Sequence, residues 1–212
     1  MSKPGKWLFA WFYHNFLSHK GQPDLSDPFT RDIRIPLIQQ AQGDVLEIGA
    51  GDGGNLPFYT GDVQVTLIEP NPYMIHYLDN ACSRSDNACI KVIEGFGEKL
   101  PFPDASFDTV ITTHVLCSVS DQARVLAEVR RVLRPGGRFL FIEHVAAHPG
   151  SGTYRWQRAV NPLWRRVGDG CHLTRDTGAM IEAAGFSRTS VERFDVSGPD
   201  LVRSHISGWA EA

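Results

Sequence analysis

From residue 44 onward, short runs of β-branched and other apolar residues alternate with longer stretches whose apolar positions recur at helical spacing. Repeated βαβ units and a mostly parallel sheet produce that alternation. The runs predict strands at Asp44 to Ile48, Val63 to Ile68, Ala88 to Glu94, Phe107 to Thr112 and Gly137 to Glu143. Phe186 to Phe194 and Leu201 to Ile206 supply a closing pair, which makes seven strands in an α/β fold. Between the fourth and fifth, Val125, Leu126, Val129, Val132 and Leu133 share one face of a helix predicted over Asp121 to Leu133, stopped by Arg134-Pro135-Gly136-Gly137. A second helix is expected over Thr174 to Ala184, capped by Thr174, with Gly185 in the left-handed position after its end.

Two pieces sit outside this alternation. Residues 1 to 40 are expected to form a helical lid on a domain spanning 41 to 212. A second lid is expected as an insertion at about 146 to 172, which holds Pro149, Trp156, Pro162 and Trp164. A chain of 212 residues, 42% apolar and 21% charged, can bury a core of this size and lacks the polar excess of a disordered one. Its 21 Lys and Arg against 24 Asp and Glu leave no positive surplus for nucleic acid, so none is expected as a partner. Cys82, Cys89, Cys117 and Cys171 form no CxxC pair and follow no secretory leader, which points to a reducing, cytoplasmic setting. The apolar run Trp7 to Tyr13 is far below the roughly 20 residues that cross a bilayer. With Phe16 it can act as a helix sealing a pocket, as a weak peripheral membrane contact, or as extra core.

The most informative stretch is Val45-Leu46-Glu47-Ile48-Gly49-Ala50-Gly51-Asp52-Gly53-Gly54-Asn55, an apolar strand running into an acid and a glycine loop. The spacing of Gly49, Gly51 and Gly54 also satisfies a dinucleotide fingerprint, so it does not by itself exclude NAD. Glu47 discriminates, because a carboxylate there repels a pyrophosphate and suits a ligand with a cationic amino group. About twenty residues on, Leu67-Ile68-Glu69-Pro70-Asn71 puts a carboxylate where a ribose diol can donate two hydrogen bonds. The plain alternative for Glu69 is a solvated residue at a strand end. Gly95-Phe96-Gly97-Glu98, leading into Leu100-Pro101-Phe102-Pro103-Asp104, offers backbone N–H groups to a base edge after the third strand.

In this order these segments resemble the class I S-adenosylmethionine-dependent methyltransferases, over roughly residues 40 to 145. That resemblance implies a Rossmann-like three-layer sandwich and S-adenosyl-L-methionine as cofactor, with S-adenosyl-L-homocysteine as product. It implies that Gly49, Ala50 and Gly51 lie against the methionine part, and that Glu47 and Asn55 organise the loop and amino group. Glu69 would hold the ribose, with Asn71 beside it. Pro70 and Met74 would flank adenine, Gly97 and Glu98 would line its edge, and Thr113 and His114 would lie near the sulfonium. Phe96 stands where many relatives have Asp. Further segments, Val115 to Val119, Glu128 to Gly137, Glu143-His144-Val145 and Gly168 to Arg175, resemble the thiol S-methyltransferases. Those enzymes take small alkyl thiols and are held on membranes by an N-terminal hydrophobic segment that is curtailed here.

The expected acceptor is therefore a small apolar molecule, an alkyl or aryl thiol. Lipid, quinone, amine or phenol acceptors, and a noncatalytic cofactor-binding module, are the alternatives. A thiol reacts as its thiolate, so a base near the methyl group is sought. His144 ends the fifth strand at the ligand edge and is the first candidate, with Asp169 and His172 of the late glycine loop to assist it. Cys117 and Cys171 read as small hydrophobes rather than nucleophiles. The eight histidines follow no HExxH spacing, so no metal is expected.

Overall fold

A computed structural model describes residues 3–18, 24–85 and 90–212. Within its sheet, β1 (Asp44–Ile48) is an interior strand, buried along all but its first residue because both faces are covered. The other strands are β2 (Gln64–Glu69), β3 (Ile90–Glu94), β4 (Phe107–Thr113), β5 (Leu133–His144), β6 (Arg188–Asp195) and β7 (Ser204–Glu211). They form one sheet in the order β3-β2-β1-β4-β5-β7-β6, in which β7 alone runs against its neighbours. The expected seven-stranded, mostly parallel α/β sandwich is the fold observed.

Alternate residues of the central strands feed two cores. Leu46, Ile48, Val110, Phe139 and Phe141 pack with Val125, Leu126 and Val129 of α4 (Gln122–Val132) on one face. Val45, Leu67, Ile111, Leu140 and Ile142 pack on the other with Leu37 and Ile38 of α2 (Ile35–Ile38). Each fully buried side chain of this size contributes about 1.5–3 kcal/mol. The order turns outward in both directions from β1 and β4, so a crevice opens at their carboxyl ends, where ligands bind in such sheets.

The departures from expectation are local. Two residues of the predicted third strand, Ala88 and Cys89, lie outside the described residues. Arg134 to Gly137 does not separate helix from strand. It is a bulge within β5, whose pairing jumps from Phe107↔Leu133 to Thr109↔Arg138. The Arg134 guanidinium secures it on Asp44 and Asp108. The second helix is α6 (Thr177–Ala183), shorter than expected, and its cap is Asp176, which accepts from Ala179 N, rather than Thr174. β7 starts after a 3₁₀ turn at Asp200–Val202 and runs on to Glu211 instead of ending at Ile206. Gly208 permits this, since a Cβ there would overlap the Ser190 carbonyl.

The segment expected as an N-terminal lid divides. α1 (Lys3–Phe12) and the π turn Tyr13–Leu17 lie over the crevice, whereas Leu37 and Ile38 are core. The segment expected as a second lid contains a full helix, α5 (Gly152–Val167), hidden in sequence by the helix breaker Pro162 inside it. Gln157 fastens α5 by accepting from Ala147 N at 2.8 Å and donating to Leu201 O at 2.9 Å.

Candidate active site

The carboxyl ends of β1, β2 and β4 open on a cleft of about 820 Å³. Gly49 and Gly51 form its floor after β1, both with positive φ (69° and 59°). A side chain on Gly49 would also strike Val115, with its Cβ 2.6 Å from Cγ2, while a Cβ on Gly51 would meet nothing within 4 Å. Backbone at Gly51 is thus bare toward the cleft, as close contact with a ligand requires.

Glu69 ends β2 and is fixed by backbone donors on both oxygens. Oε2 accepts from Gly51 N at 3.0 Å and Oε1 from Asn71 N at 2.9 Å. Burial pushes its carboxyl up to about 7, against the pull of those two N–H groups. Each oxygen keeps a lone pair for a further donor. Asn71 then caps α3 (Pro72–Cys82) by accepting from Tyr73 N at 3.1 Å, which sets Pro70 and Met74 along the same wall. Gly97 and Glu98 close the far side, and Glu98 is held by Ser120, whose N and Oγ donate to it.

Glu47 plays a different part. It is buried, with Oε1 accepting from Asn55 Nδ2 at 2.8 Å and Oε2 from the Tyr59 hydroxyl at 2.6 Å. Burial raises its pKa, and these two bonds resist the rise. Asn55 is oriented in turn by Arg34, whose Nε donates to its Oδ1 at 2.6 Å, and it donates to Thr113 Oγ1 at 3.1 Å. Glu47, Ala50 and Asn55 border a second cavity of about 470 Å³, which shares Tyr13, Gly49, Gly51, Thr113 and His114 with the larger one. The remaining ten residues expected at a cofactor line the larger cleft.

His114 follows β4 with a left-handed backbone (φ 59°) that only its place in the structure can enforce. Its N donates to Ile142 O at 2.8 Å, its Nε2 is buried without a partner, and its ring stacks on Phe29. Burial, with His205, Arg34 and His144 nearby, holds its pKa well below the ordinary value, so the imidazole is neutral. The loop it opens is tied down by Glu143, a buried residue whose carboxylate accepts from Val115 N at 3.2 Å and Leu116 N at 3.0 Å. Burial pushes that carboxyl up to about 7 as well.

Of the three residues expected to assist the chemistry, Asp169 stands on the cleft wall. Its φ is 47°, and burial raises its pKa while Lys6 opposes the rise. His144 and His172 are not among the lining residues. His144 stands opposite His205 of β7 in the strand register, and its Nε2 lies 3.4 Å from Leu201 O. His172 sits beside Arg175 and Arg165, and burial lowers its pKa.

The two segments expected as lids both reach the cleft, and Lys6, Arg165 and Arg166 are the lining residues on them that no motif marks. Lys6, Phe9 and Tyr13 line the cleft from one side and Pro162, Arg165 and Arg166 from the other. The i, i+4 spacing of Phe9 and Tyr13 was a usable signal. Lys6 Nζ donates to Pro70 O at 3.4 Å, and Asn71 Nδ2 donates to Lys6 O at 3.3 Å. His14 Nδ1 lies 2.8 Å from Asp52 Oδ2, to which Ser18 also donates, and the His14 ring stacks on Tyr77 at 3.9 Å. The outer face of α1 leaves Trp7, Leu8, Trp11 and Phe12 exposed, and α5 does the same with Trp156, Leu163 and Val167.

A cleft with bare glycine backbone at one end and a doubly anchored carboxylate beside it fits a nucleoside carrying an amino acid. Known proteins agree. A family model described as a methyltransferase domain matches residues 46–141. The thiol S-methyltransferase TMT1A of Homo sapiens is 40% identical over 171 residues, 78% of this chain and 69% of that protein. The thiol S-methyltransferase TMT1B of Rattus norvegicus is 42% identical over 150 residues, 70% of this chain and 62% of that protein. Among solved structures, an S-adenosylmethionine-dependent methyltransferase from Aquifex aeolicus superposes with a TM-score of 0.61 at 18% identity, covering 92% of this chain and 93% of that one. Identity sustained well past the matched domain, on a sheet whose crevice opens at the β1/β4 switch, places the chain in the class I S-adenosylmethionine-dependent methyltransferases.

Proposed function

We propose that the chain methylates a small apolar thiol, releasing a thioether and S-adenosylhomocysteine. The observation that carries this reading is the 40% identity to a thiol S-methyltransferase over 171 residues, a length that must reach beyond residues 46–141 into the parts that form the cleft walls. Bound S-adenosylmethionine supplies the electrophilic methyl group. Glu69 is assigned to the ribose hydroxyls, Pro70, Met74, Gly97 and Glu98 to the adenine, and Gly49 and Gly51 to the methionine backbone. Glu47 is assigned a supporting role, holding Asn55 and Thr113 in place at the amino end.

The acceptor is assigned to the space among His114, Val115, Ser118, Pro162 and Asp169, which α1 and α5 cover. Displacement at a methyl carbon is in line, so the walls act by aligning the nucleophile and excluding water. Asp169 is assigned to take the thiol proton, since it lines the cleft and its burial brings its proton affinity nearer to that of a thiol near pKa 8.5. His144 and His172 are assigned to the support of its loop. Residues 1–18 and the 146–172 segment are assigned as covers of the site. Exposed aromatic residues on α1 and arginines on α5 support a weak peripheral contact with a membrane surface. Among the described residues no helix is long and apolar enough to cross a membrane.

A methyl-transfer screen with mass detection over alkyl and aryl thiols, amines, phenols and a quinol tests the reading. S-methyl products from simple thiols are expected. Turnover confined to amines, phenols or the quinol would replace the acceptor, and cofactor binding without any product would leave a binding module.

A further inference from the structure

Arg34 is the last residue of a π turn, Thr30–Arg34, that runs directly into α2, so its backbone is anchored on the core through Leu37 and Ile38. Its half-buried side chain reaches the glycine loop. Nε donates to Asn55 Oδ1 at 2.6 Å, and the guanidinium carbon lies 5.8 Å from the centre of the Phe58 ring. A Cβ on Gly54 would stand 2.7 Å from Nη2. Gly54 is not among the glycines with positive φ, so the guanidinium beside it, rather than its backbone, is what calls for a residue without a side chain.

Arg34 lines the cavity of about 470 Å³ beside the main cleft. Four carboxylates line it too, and each is already engaged. Glu47 accepts from Asn55 and Tyr59, Asp52 is bonded by His14 and Ser18, Asp27 accepts from Thr30, and Asp24 accepts from Ser26. Arg34 differs. Among the described residues it forms no ion pair, and its Nη groups have no hydrogen-bond partner. A guanidinium is permanently charged and offers more donors than the single Nε bond uses, so it has capacity for an anion. The loop's own backbone is largely spent: Gly49 N and Ala50 N donate to Ile68 O, Gly53 N to Ala50 O, and Gly51 N to Glu69. Lys6, Arg165 and Arg166 line the larger cleft and not this cavity, which leaves Arg34 as its one cation among the described residues.

We propose that Arg34 binds the carboxylate of the cofactor's methionine part through its Nη groups. The proposal rests on the assignment of that part to Gly49 and Gly51, which border both cavities. An amino acid brings one ammonium and one carboxylate. The acids of this cavity suit the first and repel the second, so a single cation decides whether the carboxylate is admitted. The same guanidinium turns Asn55, which donates to Thr113, so carboxylate binding and the setting of the amino end pass through one side chain.

The test is calorimetry on the full chain with two ligands that differ by that carboxylate alone: S-adenosylhomocysteine and its decarboxylated form, S-adenosyl-3-thiopropylamine. Wild type should bind the acid at least about thirtyfold more tightly, as expected for charge-assisted hydrogen bonds to a carboxylate. Arg34→Gln, which keeps an amide donor for Asn55 but no charge, should cut that preference at least about tenfold and change the affinity for the decarboxylated ligand little. Arg34→Lys, which keeps the cation, should retain more of the preference than Arg34→Gln. Wild type with no preference for the acid would overturn the proposal. So would Arg34→Gln weakening both ligands by the same factor, which would leave Arg34 as a prop for Asn55. Wild type that binds neither ligand would remove the cofactor assignment itself, and this proposal with it. Should Arg34→Gln fail to fold, the wild-type ratio still decides, because no other described residue of the cavity is a cation.

Discussion

The two ends of the cleft are built by different means. At the glycine-loop end the binding surface is main chain, and buried carboxylates fix it: Glu69 holds Gly51 N and Asn71 N, and Glu47 holds Asn55. At the covered end the surface is side chains projecting from helices, among them Phe9, Tyr13, Pro162, Arg165 and Arg166. Main chain held by buried acids is a rigid frame that tolerates little substitution, whereas helix side chains can be exchanged without disturbing a ladder. The contrast teaches that ligand affinity and acceptor choice should be separable by mutation.

The strongest way to break that separation is Glu69→Ala, which removes the acceptor of two backbone N–H groups together with the proposed ribose contact. Hydrogen bonds to a charged group are worth about 1.5–3 kcal/mol each, so cofactor affinity should fall by two to three powers of ten in calorimetry. An affinity within about threefold of wild type would remove Glu69 from the site. Asp169→Asn probes the other end. Turnover should fall by about 100-fold with cofactor affinity unchanged, the range expected for loss of a proton acceptor; parallel losses in both would place Asp169 with the frame.

A pH titration sharpens the same division. Glu69 is raised to about 7 and must be ionised to accept both hydroxyls, so below that value binding requires loss of a proton. Cofactor affinity should therefore climb with pH by up to about tenfold per unit below 7 and level off above it. Glu69→Gln should flatten the profile, and a slope that survives the substitution would assign the proton elsewhere. The smallest effect is expected from His14→Ala, which removes one hydrogen bond to Asp52 worth about 1 kcal/mol. Cofactor release measured by stopped flow should quicken about fivefold, with the acceptor KM nearly unchanged.

The frame was largely legible in sequence because its signals are local. Glycines that need positive φ, an acid at the end of a strand and an apolar helix face each announce themselves within a dozen residues. What escaped depends on partners distant along the chain. Glu47 read as a ligand contact, yet its oxygens go to Tyr59 and Asn55, and Asn55 is turned by Arg34 from the segment expected to be a lid. His144 was placed correctly at the end of β5, but it is absent from the residues that line the cleft, and its Nε2 lies 3.4 Å from Leu201 O, a partner 57 residues away along the chain. Helix α5 was unreadable because Pro162 and the flanking glycines look like a loop, while the bonds that hold it come from Ala147 and Leu201. Glu143, quoted only within a motif, orders the loop after β4 as Glu69 orders the one after β1, a role that neither neighbour in sequence reveals.

The ties from Lys6, Asn71 and His14 cross directly over the rim of the nucleoside pocket. On the proposed assignment of the cofactor to this cleft, α1 forms part of its cover, and parting of those ties would belong to the exchange of spent cofactor for fresh. Loosening them should then change the pace of that exchange whichever acceptor is used.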